Sequence, residues 1–138
     1  MTIKLFAFVL LLVPFWLFEP NTIPEEVYTF AEVNQSNKER IARAIVISMS
    51  NQDFEEARAD FSDSLKLRMK PGMLVGPWMA VVNNAGAFKA ILSAEEQNVE
   101  GIAQVVVFCQ FENANVVVQV MFDEAEKVTA LYLKPVGG

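Results

Sequence analysis

The side chains of this chain that could move a proton, hold a metal or grip a substrate form a short list. Histidine is absent, which removes the commonest general base, the commonest zinc ligand and the usual pH switch near neutrality. The densest acidic group is Asp53, Glu55, Glu56, Asp60 and Asp63. A working carboxylate pair needs one member desolvated enough to keep its proton near neutrality. Glu56 and Asp60, four apart, would share a helix face, but Arg58 stands among these acids and the stretch reads as the solvated side of an amphipathic helix. Serine hydrolysis lacks both a G-x-S-x-G turn and a base. A hard cation needs oxygen ligands converging from several elements, and no loop of EF-hand spacing occurs. Neither a metal nor another cofactor is expected. Cys109 is the only cysteine, so no internal disulfide can form. It lies in an apolar run between Phe108 and Gln110, without the neighbouring cation that lowers a thiol pKa, and reads as a buried small hydrophobe.

A ligand pocket is the chemistry with the most raw material. Trp78, Met79, Phe88, Phe108, Phe122 and Tyr132 could line the mouth of a cavity, with Gln110, Gln104 or Asn83 orienting what enters. The competing reading is that these aromatics and methionines fill the core. Tyr132 is the strongest pocket candidate, because its hydroxyl needs a partner if buried.

The chain that must position these residues has 138 of them, 53% hydrophobic, enough for one folded domain beside a targeting segment. Seventeen Asp and Glu against 11 Lys and Arg give a formal net charge of −6. Nucleic-acid binders need a cationic stripe to release counterions from phosphate, and none runs along this sequence. The basic group Lys66, Arg68 and Lys70 alternates with Leu65, Leu67 and Met69 and reads as a solvated face.

At the N-terminus a single Lys4 precedes an uncharged apolar run from Leu5 to Phe18. Residues 1–20 therefore read as a signal peptide or an N-terminal membrane anchor. A helix of the whole leader would span about 27 Å at ~1.5 Å per residue, close to a hydrocarbon core of roughly 30 Å. The expectation is an exported, extracytoplasmic protein, secreted or tethered to the membrane by that segment. Residues 21–36, with Pro24, read as a linker with a short helix near 25–32. The domain proper is placed at 37–138.

Ser36-Asn37-Lys38-Glu39 matches a capping box. The helix it opens carries Ile41, Ala44, Ile45, Ser48 and Met49 on one face. Asp53 and Glu56 begin a second helix with a stripe of Phe54, Ala57, Phe61 and Leu65. A third presents Trp78, Val81, Val82 and Ala85, ends at Gly86, and is expected to kink at Gly76-Pro77 or to start at Pro77. Beyond Ala87 the period becomes strand-like: strands over 88–93, 102–111, 115–122 and 127–133, with a polar loop over 94–101 and short turns between the last three. In the third strand Val116, Val118, Val120 and Phe122 face one way, Val117, Gln119 and Met121 the other. The predicted fold class is α+β, with N-terminal helices packed on a curved antiparallel sheet of about four strands, cone-like, preceded by the apolar targeting helix.

Several stretches carry a family likeness. Residues 51–61 (Asn51, Gln52, Asp53, Phe54 and onward), Trp78 four past Leu74, Asn84-Ala85-Gly86-Ala87-Phe88-Lys89, residues 105–112 and residues 128–135 together resemble the domain of unknown function 3887 family over 39–135. The resemblance implies a cone-shaped fold similar to nuclear transport factor 2, in which helices and a curved sheet enclose a pocket. Such domains often dimerise through the outer sheet face, and in this family they occur on exported prokaryotic proteins, alone or beside an α/β-hydrolase domain. The family has no agreed function, and no catalytic residue is carried over from it. Gly72 and Gly76-Pro77 depart from its pattern.

The functional expectation is an exported, non-enzymatic domain that binds a small apolar ligand or a protein partner, as a homodimer through the outer sheet face, with no nucleic-acid partner. Two other classes stay open: a small pocket enzyme using a carboxylate or Tyr132 on a hydrophobic substrate, and a structural envelope module.

Overall fold

The computed structural model describes residues 35–136. The targeting segment, most of the linker and the short helix expected near 25–32 lie outside the described residues. Among those described, no helix is long and apolar enough to cross a membrane.

Helix α1 (Asn37–Ser50) starts where the capping box places it. Ser36 Oγ accepts from the Glu39 amide at 3.1 Å, and Glu39 Oε1 accepts from the Ser36 amide at 3.2 Å, an arrangement typically worth about 1 kcal/mol over alanine. The buried stripe is Ile41, Ala42, Ile45, Val46 and Met49. Ala42 and Val46 take the places expected for Ala44 and Ser48, so the helix is rotated by part of a turn from the expected face. Lys38, in the first turn, bonds Glu96 at 3.3 Å and Glu126 at 3.4 Å. The bond to Glu96 holds the Lys38 pKa above its ordinary value. The bond from Asn37 to Glu126, at 2.6 Å, helps hold that carboxyl below its own.

The second predicted helix is divided. Asp53 caps a single turn, α2 (Phe54–Ala57), its carboxylate accepting from the Glu56 amide, and Ser62 caps α3 (Asp63–Arg68). Between them the backbone leaves the helix to pair with the last strand. Val128 donates to the Asp60 carbonyl and Ser62 to the Val128 carbonyl, both at 2.9 Å, and Phe61 is driven into the core at 2% exposure. Arg58 ties the pieces together. Its Nε donates to the Met69 carbonyl at 2.9 Å and its Nη2 to the Lys66 carbonyl at 3.0 Å, satisfying acceptors that the end of α3 leaves orphaned.

Helix α4 (Pro71–Ala85) does not start at Pro77, one of the two alternatives expected there, but begins at Pro71 and runs through both Gly76 and Pro77. Two features make this tolerable. Gly76 has no Cβ to clash with the Pro77 ring, which is what usually keeps a residue before proline out of helical conformation. The amide lost at Pro77 removes the donor that would have met the Met73 carbonyl, on a side where both residues are exposed. Leu74, Trp78 and Ala85 are buried, while Val81 and Val82 are partly so.

The sheet is antiparallel in the order β1-β2-β3-β4, with β1 at Phe88–Val99, β2 at Ile102–Phe111, β3 at Asn115–Phe122 and β4 at Val128–Pro135. β2 and β3 have the expected bounds. β1 does not stop at Ser93. The stretch read as a polar loop pairs in register with β2, from Ala94 opposite Val107 to Val99 opposite Ile102. Glu100 and Gly101, at φ 53 and 84, close it as a two-residue turn, with the positive dihedrals that a tight hairpin demands. Pairing slips between Phe88 and Ala90 and between Ile91 and Ser93, and such bulges bend the strand. One face of this curved sheet, with Val105, Val107 and Cys109 of β2, Val116, Val118 and Val120 of β3, and Val128 and Leu131 of β4, is buried against the helices. The domain is α+β, helices first and a four-stranded antiparallel sheet after.

Candidate functional site

A mainly apolar groove of about 400 Å³ opens where α4 meets the β4 edge. Its floor comes from Val116 and Leu131, its walls from Met69, Met73, Pro77 and Val81 on one side and Tyr132 and Leu133 on the other. The local sequence explains why it stays open. Pro71 starts α4 directly after the extended Lys70, which has φ −73 and ψ 162, so the helix leaves α3 at an angle. The outward side of α4 is nevertheless apolar, with Met73 56% exposed. Methionine adapts to irregular apolar surfaces because its chain is unbranched and polarisable. The polar residues bordering the groove are Asn84 and Tyr132, the latter opposite Gln119 in the β3–β4 register. The Asn84 Nδ2 already donates to the Ala80 carbonyl at 2.8 Å. No carboxylate lines it, and Asp53, Glu55, Glu56 and Asp63 are solvent-exposed on the surface. Among the described residues, no three His, Cys, Asp or Glu side chains converge as a metal site would require.

The seven residues proposed from the sequence as pocket lining fall in separate places. Tyr132 lines the groove, 49% exposed. Trp78 lies buried beneath α4, its ring 6.2 Å from that of Phe88 and 5.5 Å from that of Phe111. Met79 and Phe88 join Trp78 at a shallow hollow walled by Ser50, Asn51 and Gln52. Phe122 is buried near Ile102 and Ala103, which pair or border it on β2. Phe108 and Gln110 lie on the opposite face of the sheet, because they alternate with the buried Val107, Cys109 and Phe111. Of the seven, the structure brings together Trp78, Met79 and Phe88. The other groove residues escaped sequence reading. The available signal was a helix still apolar outside its buried stripe, at Met73, Val75 and Met79.

The outer sheet face has an organisation of its own. Gln104 is 5% exposed, donates to Gln97 Oε1 at 3.2 Å and accepts from Gln119 Nε2 at 3.0 Å. This chain of amides crosses β1, β2 and β3. Around it stand the half-buried Val106, Phe108, Val117 and Met121.

A family model matches most of this arrangement: that for proteins of unknown function (DUF3887) covers residues 42–131, from α1 to β4. The chain belongs to the DUF3887 family. Everything from Ala42 in the buried stripe of α1 to Leu131 of the groove floor thus lies within the DUF3887 match. No curated protein and no solved structure matched the chain.

Cys109 in this DUF3887 domain is fully buried among the sheet's core residues, and burial pushes its thiol up to about 12 from an ordinary value of 9.0. The folded protein should therefore resist alkylation at pH 8 and react fully once denatured, which mass spectrometry after iodoacetamide treatment can follow. Because the folded thiol holds its proton more tightly than the unfolded one, its contribution to stability is whole below pH 9. It is lost progressively as pH rises from there towards about 12. Rapid labelling of the native protein at pH 8 would show that this strand opens to solvent.

Proposed function

We propose that this chain is an exported, non-enzymatic binding domain with a cone-like architecture of the nuclear transport factor 2 type, and that the groove between α4 and β4 receives a small apolar ligand. The observation that supports this reading is the groove's chemistry. Its volume of about 400 Å³ falls within the roughly 300–1,000 Å³ range of ligand sites. Its walls are methionine, proline and aliphatic side chains with two polar groups and no acid or base to turn a substrate over. A site built for catalysis on a hydrophobic substrate would place a desolvated carboxyl beside Tyr132.

Ala80 lines the groove from the exposed side of α4, so Ala80→Trp fills it without touching the core. The variant is expected to bind the neutral fluorophore N-phenyl-1-naphthylamine about tenfold more weakly, equivalent to about 1.4 kcal/mol, while keeping wild-type thermal stability. Unchanged binding in a folded variant would remove the groove as the site.

For a partner we propose a second copy of the chain on the outer sheet face, where Val106 and Phe108 of β2 stand beside Val117, Gln119 and Met121 of β3. The polar chain through Gln104 would set the register at a modest cost in affinity, as isolated buried amides do in other symmetric pairings. Sedimentation equilibrium should return a dimer that a Val117→Lys substitution dissociates; a monomer at high concentration would exclude it.

A further inference from the structure

The groove runs along an edge of the sheet whose main chain is only partly used. β4 is the last strand in the order β1-β2-β3-β4, and its Leu131, Tyr132, Leu133 and Pro135 line the groove. Just past the strand, the Val136 amide donates to the Asn115 carbonyl at 3.1 Å. Opposed residues of an antiparallel ladder alternate between bonded and non-bonded pairs. The register then makes Lys134 with Val117, Tyr132 with Gln119 and Ala130 with Met121 the bonded pairs. The amides and carbonyls of Leu131 and Leu133, with the Pro135 carbonyl, therefore turn away from β3. Among the described residues no backbone hydrogen bond reaches any of them.

The same edge shows what such groups do when an extended segment comes alongside. The Val128 amide donates to the Asp60 carbonyl and the Val128 carbonyl accepts from the Ser62 amide, both at 2.9 Å, in a parallel bridge centred on Phe61. At Asp63 that segment turns into α3, so the row of bonds stops while the edge runs on beside the groove. Proteins blunt the edges they do not use. β1, the opposite edge, carries two register shifts and the acids Glu95 and Glu96, whereas β4 has no shift between Leu131 and Pro135. Pro135, without an amide, ends the row of donors.

A compact apolar molecule in the groove would strip water from these main-chain groups and return no partner, which is costly. An extended peptide answers both demands, because its main chain bonds the edge while every second side chain enters the groove.

We infer that the groove's occupant is an extended segment of a partner protein, added to β4 as a fifth strand. It bonds the main chain of Leu131 and Leu133 and turns apolar side chains at alternate positions towards Met73, Pro77 and Val81, which line the groove. Residues 131–135 span about 17 Å at ~3.4 Å each, so about five residues of the partner make the contact. This rests on the groove's being a ligand site, and it names the chemistry of what enters.

Three blocked heptapeptides of alternating valine and threonine are the probes: one unmodified, one N-methylated at every valine and one at every threonine. In an extended chain the two sets of amides point to opposite edges, so only one set can face β4. Methionine methyl and backbone amide spectra of the full chain in phosphatidylcholine nanodiscs follow them, with Met49, Met69 and Met73 in the groove and Met79 and Met121 outside it. The unmodified peptide should shift the three groove methyls and slow hydrogen exchange at the Leu131 and Leu133 amides. One methylated peptide should bind about tenfold more weakly, the loss expected for two missing hydrogen bonds, and the other as well as the unmodified one. Equal binding by all three would overturn strand addition and leave the groove as an apolar site. So would peptides that leave the methyls unmoved while N-phenyl-1-naphthylamine still binds; failure of every probe would remove the groove reading too. Leu131 and Leu133 amides that exchange as slowly as that of Tyr132 before any peptide is added would show the edge already paired and overturn the inference. Dependence of that protection on protein concentration would then separate a second copy from a segment of the same chain.

Discussion

Trp78→Ala should cost about 3–5 kcal/mol, the usual range for removing a large buried aromatic side chain, and so a large share of a domain's total stability of roughly 5–15 kcal/mol. Trp78 is 3% exposed and is the hub of an aromatic group that joins α4 to the sheet. Its ring lies 5.5 Å from Phe111 at 55° and 6.2 Å from Phe88 at 48°, while Phe88 and Phe111 meet edge-on at 5.6 Å. Offset and edge-on pairs of this kind add about 0.5–1.5 kcal/mol each beyond the area they bury. Removing the indole leaves two phenyl rings facing a void that α4 cannot collapse into, because Asn113 donates to the Ala85 carbonyl at 2.7 Å and fixes the far end of that helix to the β2–β3 turn. The neighbouring position supplies the control. Met79, one residue along and 37% exposed, should lose less than about 1 kcal/mol as alanine, since substitutions away from the core usually have small effects. Urea denaturation followed by far-ultraviolet circular dichroism measures both. A Trp78→Ala loss as small as that of Met79→Ala would mean that the aromatic group does not hold α4 to the sheet. The same comparison bears on function: Trp78 acts here through packing, and Ala80→Trp, not Trp78→Ala, is the substitution that addresses ligand binding.

How far the sequence could be read follows from which interactions are local. The capping box at Ser36 and Glu39 involves residues three apart, and it was legible. The bounds of β2 and β3 were legible too, because strict alternation such as Val116, Val118, Val120 and Phe122 specifies a strand wherever its partner lies. The division of the second helix was not legible. The chain leaves helical conformation at Asp60–Ser62 to bond Val128, some 66 residues away, and no window around Phe61 contains that information. The second half of β1 is hidden from the sequence for a related reason. Glu95, Glu96, Gln97 and Asn98 have the composition of a loop, and their strand conformation comes from pairing with Val106, Val105, Gln104 and Ala103. The face of Phe108 is ambiguous in the sequence because β2 is apolar on both parities, with Val106 and Phe108 on one and Val105, Val107 and Phe111 on the other. Only the pairing of Val107 with Val118, itself fully buried, shows which parity faces the helices. The groove combines all these difficulties. It takes residues from α1, the α3–α4 junction, α4, β3 and β4, none with a chemical signature, and of its lining the sequence marks only Tyr132 as a pocket residue, for its hydroxyl.

Gly86→Ala should be nearly as damaging as the loss of Trp78, by a different mechanism. Gly86 ends α4 at φ 88 and ψ −168, a region that side-chain-bearing residues scarcely enter and that costs of order 1–3 kcal/mol when they are forced into it. A methyl group there would also stand 2.7 Å from Glu112 Cβ, 2.8 Å from Glu112 Oε1 and 3.0 Å from Asn113 Nδ2. The carboxylate could swing aside, but doing so would break its bond from the Ala87 amide at 2.9 Å. Glu112 Cβ cannot move without the backbone, because the Glu112 amide donates to the Ala87 carbonyl at 2.9 Å. The expected loss is therefore about 3 kcal/mol, strain and displacement of the turn together. Gly72 is the matched comparison. It lies in the first turn of the same helix with nothing within 4 Å of a built Cβ and without a positive φ, so alanine there should raise stability by about 0.4–1 kcal/mol through the unfolded chain. Opposite signs in urea denaturation are the expected outcome. If both alanines were tolerated alike, the turn at Glu112-Asn113 would have to be free to move away from α4. The helix would then lack the rigid seat on which the open groove depends.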